Sequence, residues 1–234
     1  MSLVAAVKER VKRRLGVPSV ERSLEALRDR GFAPATVFDV GAYHGEFARF
    51  CRAEFRPAPQ VFCFEPLAAA VDKLTPLAAA GEITLLPGLV GAEDAEAVPF
   101  HEHETTSSVL SHAGRVGAAS AQPMRRLDTL IRGGQLPGPP DLLKIDTQGY
   151  ELHVLRGIEG HLGGVRVILA EVNLLDIYAG VPLMHEVVGW LAARGWVVYD
   201  VCSLIRRPHD GAVWQSDLIF VQAGDLLRAD KRWG

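Results

Sequence analysis

Apolar residues along the chain fall into seven short runs separated by helix-like stretches. The runs are Thr36–Ala42, Gln60–Pro66, Ile83–Val90, Asp141–Thr147, Arg166–Val172, Trp196–Val201 and Asp217–Gln222. The first five are nearly unbroken in apolar side chains, the pattern of strands covered on both faces. Between them, Gly45–Phe55, Leu67–Ala80, Gly149–His161 and Leu183–Arg194 carry apolar positions at helical spacing. Such alternation predicts βαβ units and a parallel sheet. The end of the chain differs. The link from Val201 to Asp217 is too short for a crossover helix and holds the turn formers Pro208, Asp210 and Gly211. The last two strands are therefore predicted to pair antiparallel.

Two regions depart from the alternation. Near the start, Lys8–Arg14 is strongly basic, and Val4, Val7, Val11 and Leu15 recur at spacings of three and four. This predicts a basic amphipathic helix with its valines on the domain and its charges in water; a weak peripheral contact with an anionic membrane surface is the alternative. From Gly91 to Pro140 the pattern is irregular, with a short extended run at Val98–His101, a Ser/Thr cluster and the turn-rich Gly133–Pro140. Long irregular segments of this kind often form lids or binding loops. The organisation expected is an N-terminal amphipathic helical segment over residues 1–30, then one domain over 31–234 with a variable insertion at about 91–140.

Composition narrows the function classes. Of 234 residues, 48% are hydrophobic and 23% charged, which suits a globular chain and argues against wholesale disorder. A net charge of −3 supplies no global basic field, so no nucleic-acid partner is expected. No stretch approaches the roughly 20 apolar residues of a membrane helix. Cys51, Cys63 and Cys202 have no CxxC spacing, which favours a reducing, cytoplasmic setting over a disulfide framework or zinc site.

Four short segments carry candidate chemistry, and each closes a predicted strand. In Asp39–Phe47 (DVGAYHGEF), Gly41 lets the chain turn sharply where ligands bind in open α/β sheets, and Asp39 is a carboxylate at that mouth. The spacing from Gly41 to Gly45 is not GxGxxG, which disfavours an NAD-dependent dehydrogenase. In FEP (Phe64–Pro66), Glu65 follows the glycine turn by roughly 20 positions, the place of an acid that accepts hydrogen bonds from ribose hydroxyls. LLKIDTQGYE (Leu142–Glu151) puts Asp146, Gln148 and Glu151 on the same rim, and AEVN adds Glu171 and Asn173.

In that order, DVGAYHGEF, FEP, RLDTL (Arg126–Leu130), LLKIDTQGYE, the EV after the fifth strand and SDLIFV (Ser216–Val221) resemble the FkbM family of S-adenosylmethionine-dependent methyltransferases. The resemblance covers about Val37 to Gln222. It implies a Rossmann-like class I methyltransferase fold: a seven-stranded, mostly parallel sheet in order 3-2-1-4-5-7-6, with strand 7 antiparallel and helices on both faces. It implies S-adenosyl-L-methionine as cofactor and methylation of a hydroxyl on a sugar, glycan or polyketide-type natural product. Carried over by motif, Asp39, Gly41, Ala42, Tyr43, Gly45, Glu65, Pro66, Leu89 and Asp146 line the cofactor site. Tyr43 stands where family members often have Asn.

An acceptor hydroxyl is a weak nucleophile at neutral pH, so a general base is expected. Asp146 and Glu171 are at the right rim, and His103 could reach over it. Ser107, Gln148, Glu151, Asn173, Tyr178 and Asp217 are candidate acceptor contacts. Asp146, Glu171 and Asn173 offer hard oxygen donors to a divalent metal such as Mg, but their spacing does not establish a site, and no metal ligand is assigned. An N-methyltransferase of the same fold, or a non-catalytic nucleoside-binding module, remains an alternative. A homodimer is compatible with the middle segment and the last hairpin.

Overall fold

The computed structural model describes residues 14–101, 108–110 and 119–233. The basic segment up to residue 13 lies outside the described residues, as do His103 and Ser107. In chain order come α1 (Val20–Asp29), β1 (Thr36–Val40), α2 (Glu46–Glu54), β2 (Gln60–Glu65), α3 (Ala68–Ala79), β3 (Thr84–Pro87), β4 (Leu89–Val90), β5 (Ala95–His101) and β6 (Ala119–Arg125). There follow α4 (Leu127–Arg132), β7 (Leu142–Ile145), α5 (Glu151–Gly157), β8 (Val167–Asn173), α6 (Met184–Ala192), β9 (Trp196–Val201), β10 (Ile205–Arg206) and β11 (Val213–Gln222).

The main sheet runs β10-β11-β8-β7-β1-β2-β3, with β9 also paired to β11. Strands β3, β2, β1, β7 and β8 are parallel, and β11 runs antiparallel to both β8 and β9. This is the expected order with the expected reversed strand. The strand count differs, at eight rather than seven. β11 has 10 residues, and β9 pairs only with its second half, from Leu218 to Gln222. The chain then leaves the strand around Ser203, whose hydroxyl donates to Asp217 Oδ2 (2.6 Å) and accepts from the Asp217 amide (2.8 Å). It rejoins the edge as β10, opposite Val213 and Gln215.

Alternate residues of each strand point to opposite faces. Phe38, Val40, Leu143, Ile145, Ile168 and Phe220 pack on one side with α4–α6. Val37, Val61, Leu142, Val167, Leu169 and Ile219 pack on the other. There α1 inserts Leu24 and Leu27, both fully buried, and Ser23 donates to Asp200 Oδ2 of β9 at 2.6 Å. Burying such side chains contributes about 1.5–3 kcal/mol each, which makes this helix part of the core.

Three expectations are corrected. The apolar run Ile83–Val90 is not one strand: it breaks at Gly88, so that β3 stays beside β2 while β4 leaves the sheet and pairs with β6. The middle segment is not irregular throughout, because β4, β6 and β5 form a second, three-stranded sheet. Among the described residues, the cluster on its apolar side buries Leu89, Phe100 and Met124, too few to mark a period along the sequence. The helix expected to reach His161 ends at Gly157 and continues as a 3₁₀ turn, Glu159–Gly164. There Asp128 accepts from the Gly160 amide (3.0 Å) and meets His161 Nδ1 (2.7 Å).

Candidate functional site

At the carboxyl ends of β1, β2 and β7 lies a pocket of about 280 Å³. Its floor is the turn after β1. Gly41 has φ +79°, and a Cβ there would stand 1.9 Å from the Asp146 carbonyl oxygen. Only glycine permits this approach of the β1 and β7 ends. The amides of Gly41 and Ala42 both donate to the Phe64 carbonyl, binding the turn to β2 (3.0 and 3.2 Å).

Glu65 lines the pocket and is 5% exposed. Its Oε2 accepts from the Tyr43 amide (2.7 Å) and its Oε1 from the Leu67 amide (2.9 Å). Burial raises its pKa, and those two amides work against the rise. Each oxygen keeps acceptor capacity for a ligand hydroxyl, since an ionised carboxylate offers about four lone-pair sites. The Tyr43 ring stacks on His44 at 3.7 Å between centroids. Val40, Leu67, Leu89, Val90, Phe100 and Val109 form apolar walls, with Tyr150 beside them. The small sheet thus closes the pocket from above. Ser108, paired with His101 through the backbone, fastens it by donating to the Gln148 carbonyl at 2.8 Å.

Asp146 and Gln148 form the opposite rim. Asp146 has a side chain 38% exposed, the most accessible of the rim carboxylates. The Gln148 amide nitrogen donates to Asp146 Oδ1 and to Glu171 Oε1, both at 3.1 Å, and its oxygen accepts from the Tyr178 hydroxyl at 2.9 Å. It therefore spaces two carboxylates while being held from behind.

The sequence-predicted residues separate into two groups. Gly41, Tyr43, Glu65, Pro66, Leu89, Asp146 and Gln148 line the pocket. Asp39, Ala42 and Gly45 do not. Ala42 is buried in the turn, and Gly45 begins α2. Asp39 is wholly buried beneath the floor, with Oδ1 3.1 Å from Lys144 Nζ; burial raises its pKa and Lys144 opposes that. Glu151 is 2% exposed and takes the Thr147 and Gly149 amides on Oε1 (2.9 and 3.0 Å), so it shapes the turn instead of facing the pocket.

Glu171 lies behind Gln148 and accepts from Gln215 Nε2 at 2.6 Å. Burial, with Asp146, Glu151 and Asp217 nearby, raises it well above the usual carboxylate range, which favours its protonated form over the role of base. Tyr178 is buried, its hydroxyl on Gln148; Asp217 is engaged by Ser203. Asn173 is fully buried, and neither of its side-chain polar atoms has a partner. Sequence reading missed Lys144, Gln215, Tyr150 and Phe100. A lysine inside the apolar run LLKI was the one visible signal.

Among the described residues, no group of three or more His, Cys, Asp or Glu side chains could hold a metal ion. No helix among them is long and apolar enough to cross a membrane.

Comparison with known proteins agrees with this geometry. The methyltransferase FkbM domain model matches residues 39–198. A curated relative, the hexuronic acid methyltransferase AglP of Haloferax volcanii, is 26% identical over 139 residues, covering 58% of this chain and 55% of the relative. The chain spans about half the length of that relative. Among solved structures, methyltransferase FkbM from Methylobacillus flagellatus has a TM-score of 0.53 at 15% identity, covering 80% of this chain and 43% of that one. The O-methyltransferase TomG from Streptomyces achromogenes, solved in complex with S-adenosylmethionine, has a TM-score of 0.51 at 12% identity, covering 96% and 91%. At these identities the structural likenesses show a shared fold.

Proposed function

Since the chain belongs to the FkbM methyltransferase family, we propose that it is an S-adenosylmethionine-dependent O-methyltransferase acting on a hydroxyl of a sugar, glycan or polyketide-type natural product. The observation that carries this reading is one pocket lined by both Glu65 and Asp146. Glu65 is held by two backbone amides with lone pairs to spare for a ribose diol. The walls of Leu67, Leu89, Val90 and Phe100 suit a purine face. Asp146 places negative charge where a cationic ligand group is favoured.

When bound, the cofactor supplies an electrophilic methyl group on a positively charged sulfur. This chain's residues do the rest. Alignment of an acceptor oxygen with the carbon it attacks is chiefly an orientation effect. Gln148 fixes the Asp146 carboxylate from one side, and Tyr178 fixes Gln148. Asp146 takes the proton of the acceptor hydroxyl, being the rim carboxylate open to solvent. The relative named as a hexuronic acid methyltransferase supports a sugar as the acceptor class.

The test is incubation with methyl-labelled S-adenosylmethionine and panels of monosaccharides, oligosaccharides, polyketides and amines, with products identified by mass spectrometry. An O-methyl ether is expected. Label found only on nitrogen contradicts the reading.

A further inference from the structure

Lys144 lies in the middle of the sheet, on a strand whose neighbours Leu143 and Ile145 are wholly buried. Its side chain is 12% exposed. An ammonium in such a place is costly unless it is paired and hydrogen-bonded. Its contacts are specific. Nζ donates to the Gly41 carbonyl at 2.7 Å, and lies 3.1 Å from Asp39 Oδ1 and 3.5 Å from Asp146 Oδ2. The Phe47 ring of α2 sits below, its centroid 5.9 Å away. Burial works against the charge, but Asp39 and Asp146 together raise the lysine pKa.

These contacts join the two halves of the pocket floor. Gly41 is the residue whose Cβ position would collide with the Asp146 carbonyl. Asp39 and Lys144 are in register across β1 and β7, so they share one face of the sheet. A neutral residue at 144 would leave the Gly41 carbonyl without this donor. Asp39 alone cannot do the same work, because it reaches neither the pocket nor Asp146.

We propose that Lys144 is a positioning residue for the cofactor: its ammonium pins the Gly41 turn and aims the Asp146 carboxylate, while Asp39 serves to balance its charge. The competing account is that Lys144 and Asp39 are a buried ion pair with no bearing on the ligand. Such a pair can be replaced by apolar or neutral residues with little loss, provided both partners go together.

That difference supplies the experiment, which rests on the cofactor reading above. Wild type, Asp39→Asn and the double variant Asp39→Asn/Lys144→Met are titrated with S-adenosylhomocysteine, and their melting temperatures are compared. Failure of the wild type to bind would overturn the cofactor reading itself, separately from the role of Lys144. With binding established, Asp39→Asn keeps its affinity within about threefold, because Lys144 still holds Gly41 and Asp146. The double variant melts no lower than Asp39→Asn, which leaves a buried ammonium without its main counter-charge, but binds at least about tenfold more weakly, the scale of one lost charged hydrogen bond.

A double variant that binds as well as Asp39→Asn overturns the proposal, leaving only a charge-balance role for Lys144. Should the double variant fail to fold, Lys144→Arg decides: it keeps the charge that Asp39 balances but displaces the donor from Gly41 and Asp146, so affinity falls about tenfold under the proposal, and unchanged affinity overturns it. A second readout is the carbon-13 shift of the methyl group of bound, labelled S-adenosylmethionine. It moves in the double variant if Asp146 has been re-aimed, and stays put under the ion-pair account.

Discussion

Gly41 and Asp146 approach so closely that a methyl group on Gly41 would lie 1.9 Å from the Asp146 carbonyl oxygen. The glycine turn and the acidic rim are therefore one mechanical unit, although 105 positions separate Gly41 from Asp146 in the chain. Gly41→Ala adds a clash to a left-handed backbone, and is expected to cost about 3 kcal/mol or more. For a domain of this size that is a fall of about 10 °C in melting temperature, with loss of cofactor binding. Gly81→Ala is the control. It has φ +70° but nothing within 4 Å of the added methyl, so it should cost about 1 kcal/mol and leave binding intact. Thermal melts and titration of both variants check this, and equal losses would contradict it.

Glu65→Ala removes the proposed ribose partner and frees the Tyr43 and Leu67 amides. The affinity for S-adenosylhomocysteine is expected to fall by about 1.5–3 kcal/mol, as for other hydrogen bonds to charged groups. Calorimetry reads this directly. An unchanged dissociation constant would remove Glu65 from the site.

Glu151 gives a pH dependence of stability. Burial pushes it up to about 7, despite the Thr147 and Gly149 amides it accepts. Its unfolded value is near 4.3, so between roughly pH 4.3 and 7 the native state binds more protons than the unfolded state. Stability should fall as pH rises through that window, by an amount on the order of 3 kcal/mol for this group alone. Glu171 acts in the same direction. Glu151→Gln keeps an oxygen for the Thr147 and Gly149 amides yet cannot titrate. Urea midpoints at pH 5 and 7 should therefore lie closer together in this variant than in the wild type, with Glu171 supplying the remainder, and a difference equal to that of the wild type would sink the assignment.

Tyr178→Phe deletes one hydroxyl, 2.9 Å from the Gln148 side-chain oxygen. Tyr178 is buried and does not line the pocket. Stability should drop by about 1–2 kcal/mol and cofactor affinity should hold, while methyl transfer to the acceptor slows. Weakened cofactor binding with unimpaired turnover would reverse that assignment.

What the sequence disclosed follows the range of the forces involved. β1, β2, β7 and β8 are unbroken apolar runs whose burial on both faces needs no partner to be read. The reversed β11 followed from a link too short for a helix. Glu65 and Asp146 were legible because each ends a strand at a rim where packing asks for no acid. Asp39, one residue before the end of β1, does not face the rim: it points to the face opposite Val40 and finds Lys144 across the sheet. That pairing depends on strand order, which residue types do not disclose. The small sheet was hidden for a like reason, since β4 and β6 meet across a long separation with few apolar residues to mark it. Glu151 was read as an acceptor contact, although its bonds to Thr147 and Gly149 are local turn geometry.

The central claim is that this pocket holds S-adenosylmethionine, and calorimetric titration of the wild-type chain with that cofactor and with S-adenosylhomocysteine tests it most directly. Saturable binding of both at micromolar strength, with no heat from NAD, is the predicted result. A well-folded sample that binds neither, or that binds NAD instead, would contradict it.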